Sequence, residues 1–124
     1  MSYNIDGVTV TERGWAGHFI SADKCRFRRN TLLEYKSKKW VISTVGDYVS
    51  SVTKTVDTIA CHCYYETIAF EAKYEKPYWE ADVTKILSFD SNNRIDHCEY
   101  ETDLEADNMH NTVVNELIQK IKTI

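Results

Sequence analysis

Chemistry-bearing side chains concentrate in one stretch. Arg13-Gly14-Trp15-Ala16-Gly17-His18-Phe19 is followed, after a short gap, by Lys24-Cys25-Arg26-Phe27-Arg28-Arg29-Asn30-Thr31. If 24–30 is extended, Lys24, Arg26 and Arg28 fall on one face, and Cys25, Phe27 and Arg29 on the other. Three cations on one face repel one another unless solvent or an anion screens them. Guanidinium forks match phosphate oxygens bidentately, and their planes stack on bases. Gly14 and Gly17 allow close backbone approach or a sharp turn. His18 borders the cluster and can bond a phosphate or hydroxyl. The competing reading is that these arginines pair with acidic residues later in the chain, as exposed ion pairs worth ~0–1 kcal/mol. The density of arginine beside Trp15 and Phe27, with neutral Asn30 and Thr31 adjoining, favours a phosphate-bearing nucleotide.

No catalytic constellation accompanies the cluster. The strand-turn-helix setting of a nucleophile elbow is missing. Neither a P-loop nor a dinucleotide fingerprint can be found, because Gly14-Trp15-Ala16-Gly17 lacks the spacing and context. Glu80 with Asp82 reads as a solvated strand face, and His62, His97 and His110 read as strand, turn or helix-surface residues. Cys61-His62-Cys63 with His97-Cys98 lacks the knuckle spacing typical of structural zinc, so no metal is expected. Cys25, Cys61, Cys63 and Cys98 are too few for a disulfide scaffold. The chain is expected to be a binding protein without catalytic residues or cofactor.

The bulk properties set bounds. At 124 residues the chain supports a single domain, 1–124. Its 43 % apolar content is enough for a packed core. A net charge of −4 argues against a nucleic-acid polymer, which needs a broad basic face. Four of the five arginines nevertheless sit in the first quarter, while acidic residues gather from Glu80 to Asp107. A local cationic cluster in an acidic chain suits a compact anion. No apolar run approaches the roughly 20 residues of a membrane helix. The N-terminus lacks the pattern of a signal peptide, so a cytoplasmic location without membrane contact is expected.

These residues need a scaffold, and the pattern predicts an α+β fold. Strands are expected over 7–11, near 18–20, over 30–35 and 39–48 with a Lys36-Ser37-Lys38 turn, and over 61–74. Gly46 and Asp47 are expected to weaken or bulge the end of the 39–48 strand. Glu75-Lys76-Pro77 breaks the next one, since proline cannot donate to a sheet ladder. Trp79, Ala81, Val83, Leu87 and Phe89 mark a further strand, closed by a turn at 90–93. Met109, Val113, Leu117, Ile118 and Ile121 then fall at helical spacing, and Thr102 with Glu105 resembles a capping box. One amphipathic helix over an antiparallel β-meander is the economical architecture.

The run from Arg13 to Phe19, Cys25 to Leu33, Val41-Ile42-Ser43-Thr44-Val45-Gly46, Tyr65-Glu66-Thr67, Trp79-Glu80-Ala81-Asp82-Val83 and Asn108-Met109-His110 together resemble the first type of Thoeris anti-defence sponge, a family of small phage proteins. The resemblance covers most of the chain. It implies sequestration, without cleavage, of a cyclic ADP-ribose-type signal made by bacterial TIR enzymes, inside the host cell. It further implies a homodimer or higher homo-oligomer, and some members take cyclic oligonucleotides at a second site. On this reading Arg26, Arg28 and Arg29 are candidates for the pyrophosphate, Trp15 or Phe27 for stacking, and Asp82 or Asn92 for ribose hydroxyls, with Lys24 and His18 beside them. Two alternatives stand next to it. One is an acidic decoy (Asp96 to Asp107) that inhibits a nucleic-acid-binding defence enzyme by contact. The other is a small cyclic-nucleotide hydrolase with His18 as base.

Overall fold

The computed structural model describes residues 1–14, 24–59, 63–87 and 102–123. Among these residues, seven strands form one antiparallel sheet: β1 (Ser2–Ile5), β2 (Val8–Glu12), β3 (Cys25–Tyr35), β4 (Lys38–Val49), β5 (Val56–Asp57), β6 (Tyr65–Glu75) and β7 (Tyr78–Ile86). The order is β1-β2-β3-β4-β6-β7, with the short β5 pairing with β4 off this path. A single helix among the described residues, α1 (Asp103–Ile121), packs across β3, β4 and β6. This is the expected α+β architecture.

Local chemistry explains most of the connections. The β3–β4 turn is Lys36-Ser37, both at positive φ, the twist that a two-residue hairpin requires. Asp6-Gly7 makes the same kind of turn between β2 and β1, the latter a strand not anticipated from the sequence. The arginine run and the 30–35 strand are one continuous strand, β3. Lys76-Pro77 makes the turn into β7 rather than ending the sheet. The expected strand near 18–20, the residues Cys61 and His62, and the turn at 90–93 lie outside the described residues.

Register lays the helix-facing side of the sheet out in rows. Phe27, Gly46 and Tyr65 form the first row, and Arg29, Thr44 and Thr67 the second. Glu12, Thr31, Ile42 and Ala69 follow, then Val10, Leu33, Trp40 and Glu71. Gly46 is required where it stands: a Cβ there would lie 2.2 Å from Tyr65 Cδ2 and 2.7 Å from the Tyr64 carbonyl oxygen. Its bare backbone lets Tyr65 meet Phe27 edge-to-face, with ring centroids 5.9 Å apart. Asp47, next along, has φ 53, but β4 runs through it to Val49 with its register to β3 unshifted, so the bulge expected at this strand end does not form.

The helix begins in a capping box: Thr102 Oγ1 accepts from the Glu105 amide at 3.2 Å and donates to Glu105 Oε1 at 3.1 Å. Its buried stripe is Ala106, His110, Val113, Val114, Leu117, Ile118 and Ile121. Each large apolar member contributes about 1.5–3 kcal/mol by burial, against about 1 kcal/mol for the cap, so packing rather than capping holds the helix down. The other face of the sheet is also buried at its centre, at Val41, Ser43, Val45 and Phe70. Arg13 shows how the sheet curls there. Its guanidinium donates to Asn30 Oδ1 on β3, at 2.9 and 2.7 Å, and to the Trp79 carbonyl on β7. No helix of the described residues is long and apolar enough to cross a membrane.

Candidate ligand-binding face

Strand alternation sorts the arginine cluster into two populations. Arg26 and Arg28 lie on the face of β3 away from the helix, and both are exposed. Lys24, one residue before the strand, is exposed as well. The Arg26 side chain is 62 % exposed and pairs with Asp47 at 2.7 Å. That hydrogen bond and charge raise the Arg26 pKa further above its already high ordinary value. Arg28 forms no ion pair among the described residues.

Arg29 and Phe27 lie on the opposite face, beneath α1. Arg29 is only 21 % exposed and engages both terminal nitrogens of its fork. One terminal nitrogen donates to Asp107 Oδ1 at 2.9 Å and Asn111 Oδ1 at 2.8 Å, the other to Glu12 Oε1 at 2.7 Å. Arg29 thus pairs with the later acidic cluster through Asp107, and Arg26 forms an exposed ion pair with Asp47 on the neighbouring strand β4, outside that cluster. Phe27 packs with Tyr65, Ala106 and Met109. Asp82 is exposed on β7, and Thr84 occupies its carboxylate through the amide at 3.1 Å and the hydroxyl at 2.6 Å. Those bonds hold the Asp82 carboxyl below its ordinary pKa, and no described contact joins it to Arg26 or Arg28. Trp15, His18 and Asn92 lie outside the described residues.

His110 corrects the surface reading given to it. It is fully buried under α1, between Thr31 and Thr44. Nε2 lies 2.7 Å from Thr31 Oγ1 and Nδ1 2.7 Å from Thr44 Oγ1, which in turn lies 2.8 Å from Thr67 Oγ1. Proton positions follow from one end of this chain. Thr31 Oγ1 donates to the Glu12 carboxylate at 2.8 Å, so it accepts from His110 Nε2–H. Nδ1 is then the acceptor, Thr44 donates to it, and Thr67 donates to Thr44. Burial, with Arg29 nearby as a smaller cause, pushes the imidazole pKa down to about 3. A second polar contact anchors the helix start, where Tyr65 Oη donates to Asp103. Burial first, and that bond second, raise the Tyr65 pKa. These groups fasten α1 to the sheet and hold Arg29 and Phe27 away from solvent, which leaves Arg26 and Arg28 as the presented cations of β3. The His110 chain joins residues from β2, β3, β4, β6 and α1, and no spacing in the sequence signals it.

No protein-family model, curated protein or solved structure matches this chain.

Proposed function

We propose that this chain is a binding protein that takes up an intact cyclic ADP-ribose-type nucleotide on the exposed arginine face of β3 and withholds it. The observation that carries the reading is the pair Arg26 and Arg28: two guanidiniums two residues apart on one face, Arg28 without an ion-pair partner among the described residues. Two positions along a strand set their bases about 7 Å apart, so both long side chains reach one pyrophosphate. The Arg26–Asp47 pair is exposed and worth only ~0–1 kcal/mol, so a phosphate displaces it at little cost. Arg29 differs, because each of its bonds would have to be broken in a partly buried setting.

Magnitudes say what else is needed. Two charge-assisted contacts at about 1.5–3 kcal/mol each give roughly 3–6 kcal/mol. Nanomolar capture requires about 12 kcal/mol. Base stacking and hydroxyl contacts must supply the rest, and Trp15, His18 and Asn92 carry suitable chemistry. The acidic-decoy alternative is less favoured, since Asp103, Glu105 and Asp107 are engaged in fastening and capping α1.

Calorimetric titration with cyclic ADP-ribose isomers, followed by chromatography of ligand released by heat, tests the proposal. Tight binding, unaltered ligand and loss of the heat in Arg28→Ala are expected. Chemically changed ligand, or no heat at micromolar protein, would overturn it.

A further inference from the structure

The β6–β7 hairpin outruns the rest of the sheet. β6 pairs with β4 only as far as Glu71, opposite Trp40. Beyond it, residues 72–75 and 78–81 pair with each other and, among the described residues, with no third strand. A two-stranded hairpin standing alone is marginally stable in water, so contacts with the body decide where this arm lies.

A bend precedes the arm. Between the pairs Phe70–Ile86 and Ala72–Ala81, the single residue Glu71 of β6 faces residues 82–85 of β7. Asp82 ties this excess together by accepting from the Thr84 amide and hydroxyl. Extra residues on one strand bend a hairpin and increase its twist.

The bend carries the arm back over the β3 face that holds Arg26 and Arg28. In a flat sheet β7 would lie four strand spacings from β2, about 19 Å, a span no arginine side chain covers. Yet Arg13, the residue after β2, donates to the Trp79 carbonyl. Its other two nitrogens donate to Asn30 Oδ1, so all three are already committed. Asn30 shares its face of β3 with Arg28, two residues or about 7 Å along the strand. Lys39 on β4 adds a second contact, its ammonium 4.6 Å from the Trp79 ring centroid. Burial lowers the Arg13 pKa, and Glu80 on the arm and Glu34 on β3 offset part of that shift.

We infer that Arg13 is a positioning residue, which latches the 72–81 arm, hinged at 82–85, as a lid beside the arginine face of β3. What the lid covers rests on the nucleotide reading of that face, whereas the hinge and the latch do not. Arg13 acts through the arm rather than on a phosphate. With the latch closed, the arm walls the site at Asn30, and a wall of this kind slows release of a held ligand.

Hydrogen exchange of the full chain tests the inference, with wild type beside Arg13→Met, which keeps side-chain length and removes the donors. Without ligand, the amides of residues 73–80 should exchange at least tenfold faster in Arg13→Met, while β3, β4 and α1 keep their rates. Lys39→Ala, which removes only the ring contact, should accelerate the arm about two- to fivefold. Saturating cyclic ADP-ribose should slow exchange of the wild-type arm at least tenfold, and Arg13→Met should release the ligand at least tenfold faster. Unchanged arm rates in both variants would overturn the latch. So would acceleration throughout the chain in Arg13→Met combined with none in Lys39→Ala. Bound ligand that leaves arm exchange unaltered would overturn the lid and leave the β3 reading standing. Failure of the wild type to bind would overturn that reading and the lid's role with it, and the ligand-free rates would still decide the hinge and the latch.

Discussion

Burial of His110 as a neutral imidazole couples the stability of the whole domain to pH. In the unfolded chain the ring takes a proton with a pKa near 6.5, whereas in the folded state its pKa is about 3. Stability from this residue is therefore complete above the unfolded value and is lost as pH falls, because the unfolded state gains the proton first. Between pH 7.5 and pH 5 the loss amounts to about 2 kcal/mol, at 1.36 kcal/mol per unit below 6.5. At pH 5 the result is the same for any folded value below about 4, since the native ring is then still unprotonated. Urea unfolding of the wild type and of His110→Gln at both pH values isolates the effect, because carboxylates and the other histidines titrate alike in both. The wild type should lose about 2 kcal/mol more than the variant over this interval. Equal losses, or a wild type that gains stability toward pH 5, would refute the buried neutral ring. Nitrogen chemical shifts give an independent check: Nε2 should carry the proton at pH 7, and no titration should appear above pH 4.

Three further outcomes follow from the same geometry. Gly46→Ala places a methyl into the Tyr65 ring and the Tyr64 carbonyl, and should cost at least 1–3 kcal/mol in chemical denaturation; a change under 0.5 kcal/mol would refute the close approach. Arg29→Ala leaves Glu12 and Asp107 without their shared cation and should destabilise by about 2–4 kcal/mol, while Arg28→Ala stays within about 0.5 kcal/mol. If both variants behave alike in thermal melts, the sorting of the two arginines is wrong. Thr102→Ala removes the helix cap and should cost about 1 kcal/mol, measurable as a lower urea midpoint at unchanged slope.

Local period was enough to read much of the scaffold. The stripe from Met109 to Ile121, the Thr102–Glu105 box, the turn at Lys36-Ser37 and the alternation that separates Arg26 and Arg28 from Arg29 all act within a few residues of one another. Patterns on that scale are set by backbone geometry alone. The strand β1 is not legible in the sequence because four mixed residues carry little periodicity, although Asp6-Gly7 is a composition suited to its turn.

What tertiary structure decided was which of these side chains remain available. Arg29 and Arg28 are neighbours of the same type, and their fates differ because α1, some 78 residues on, brings Asp107 over one face of β3 and not the other. His110 became a core residue because Thr31 and Thr44, distant in sequence and adjacent in the sheet, fill both of its nitrogens. Lys39 and Trp79 meet only once β4, β6 and β7 are laid side by side. Residue type and alternation determine what a side chain can do and which face it takes. Only packing between distant segments determines whether its hydrogen bonds are already spent inside the protein or remain for a ligand.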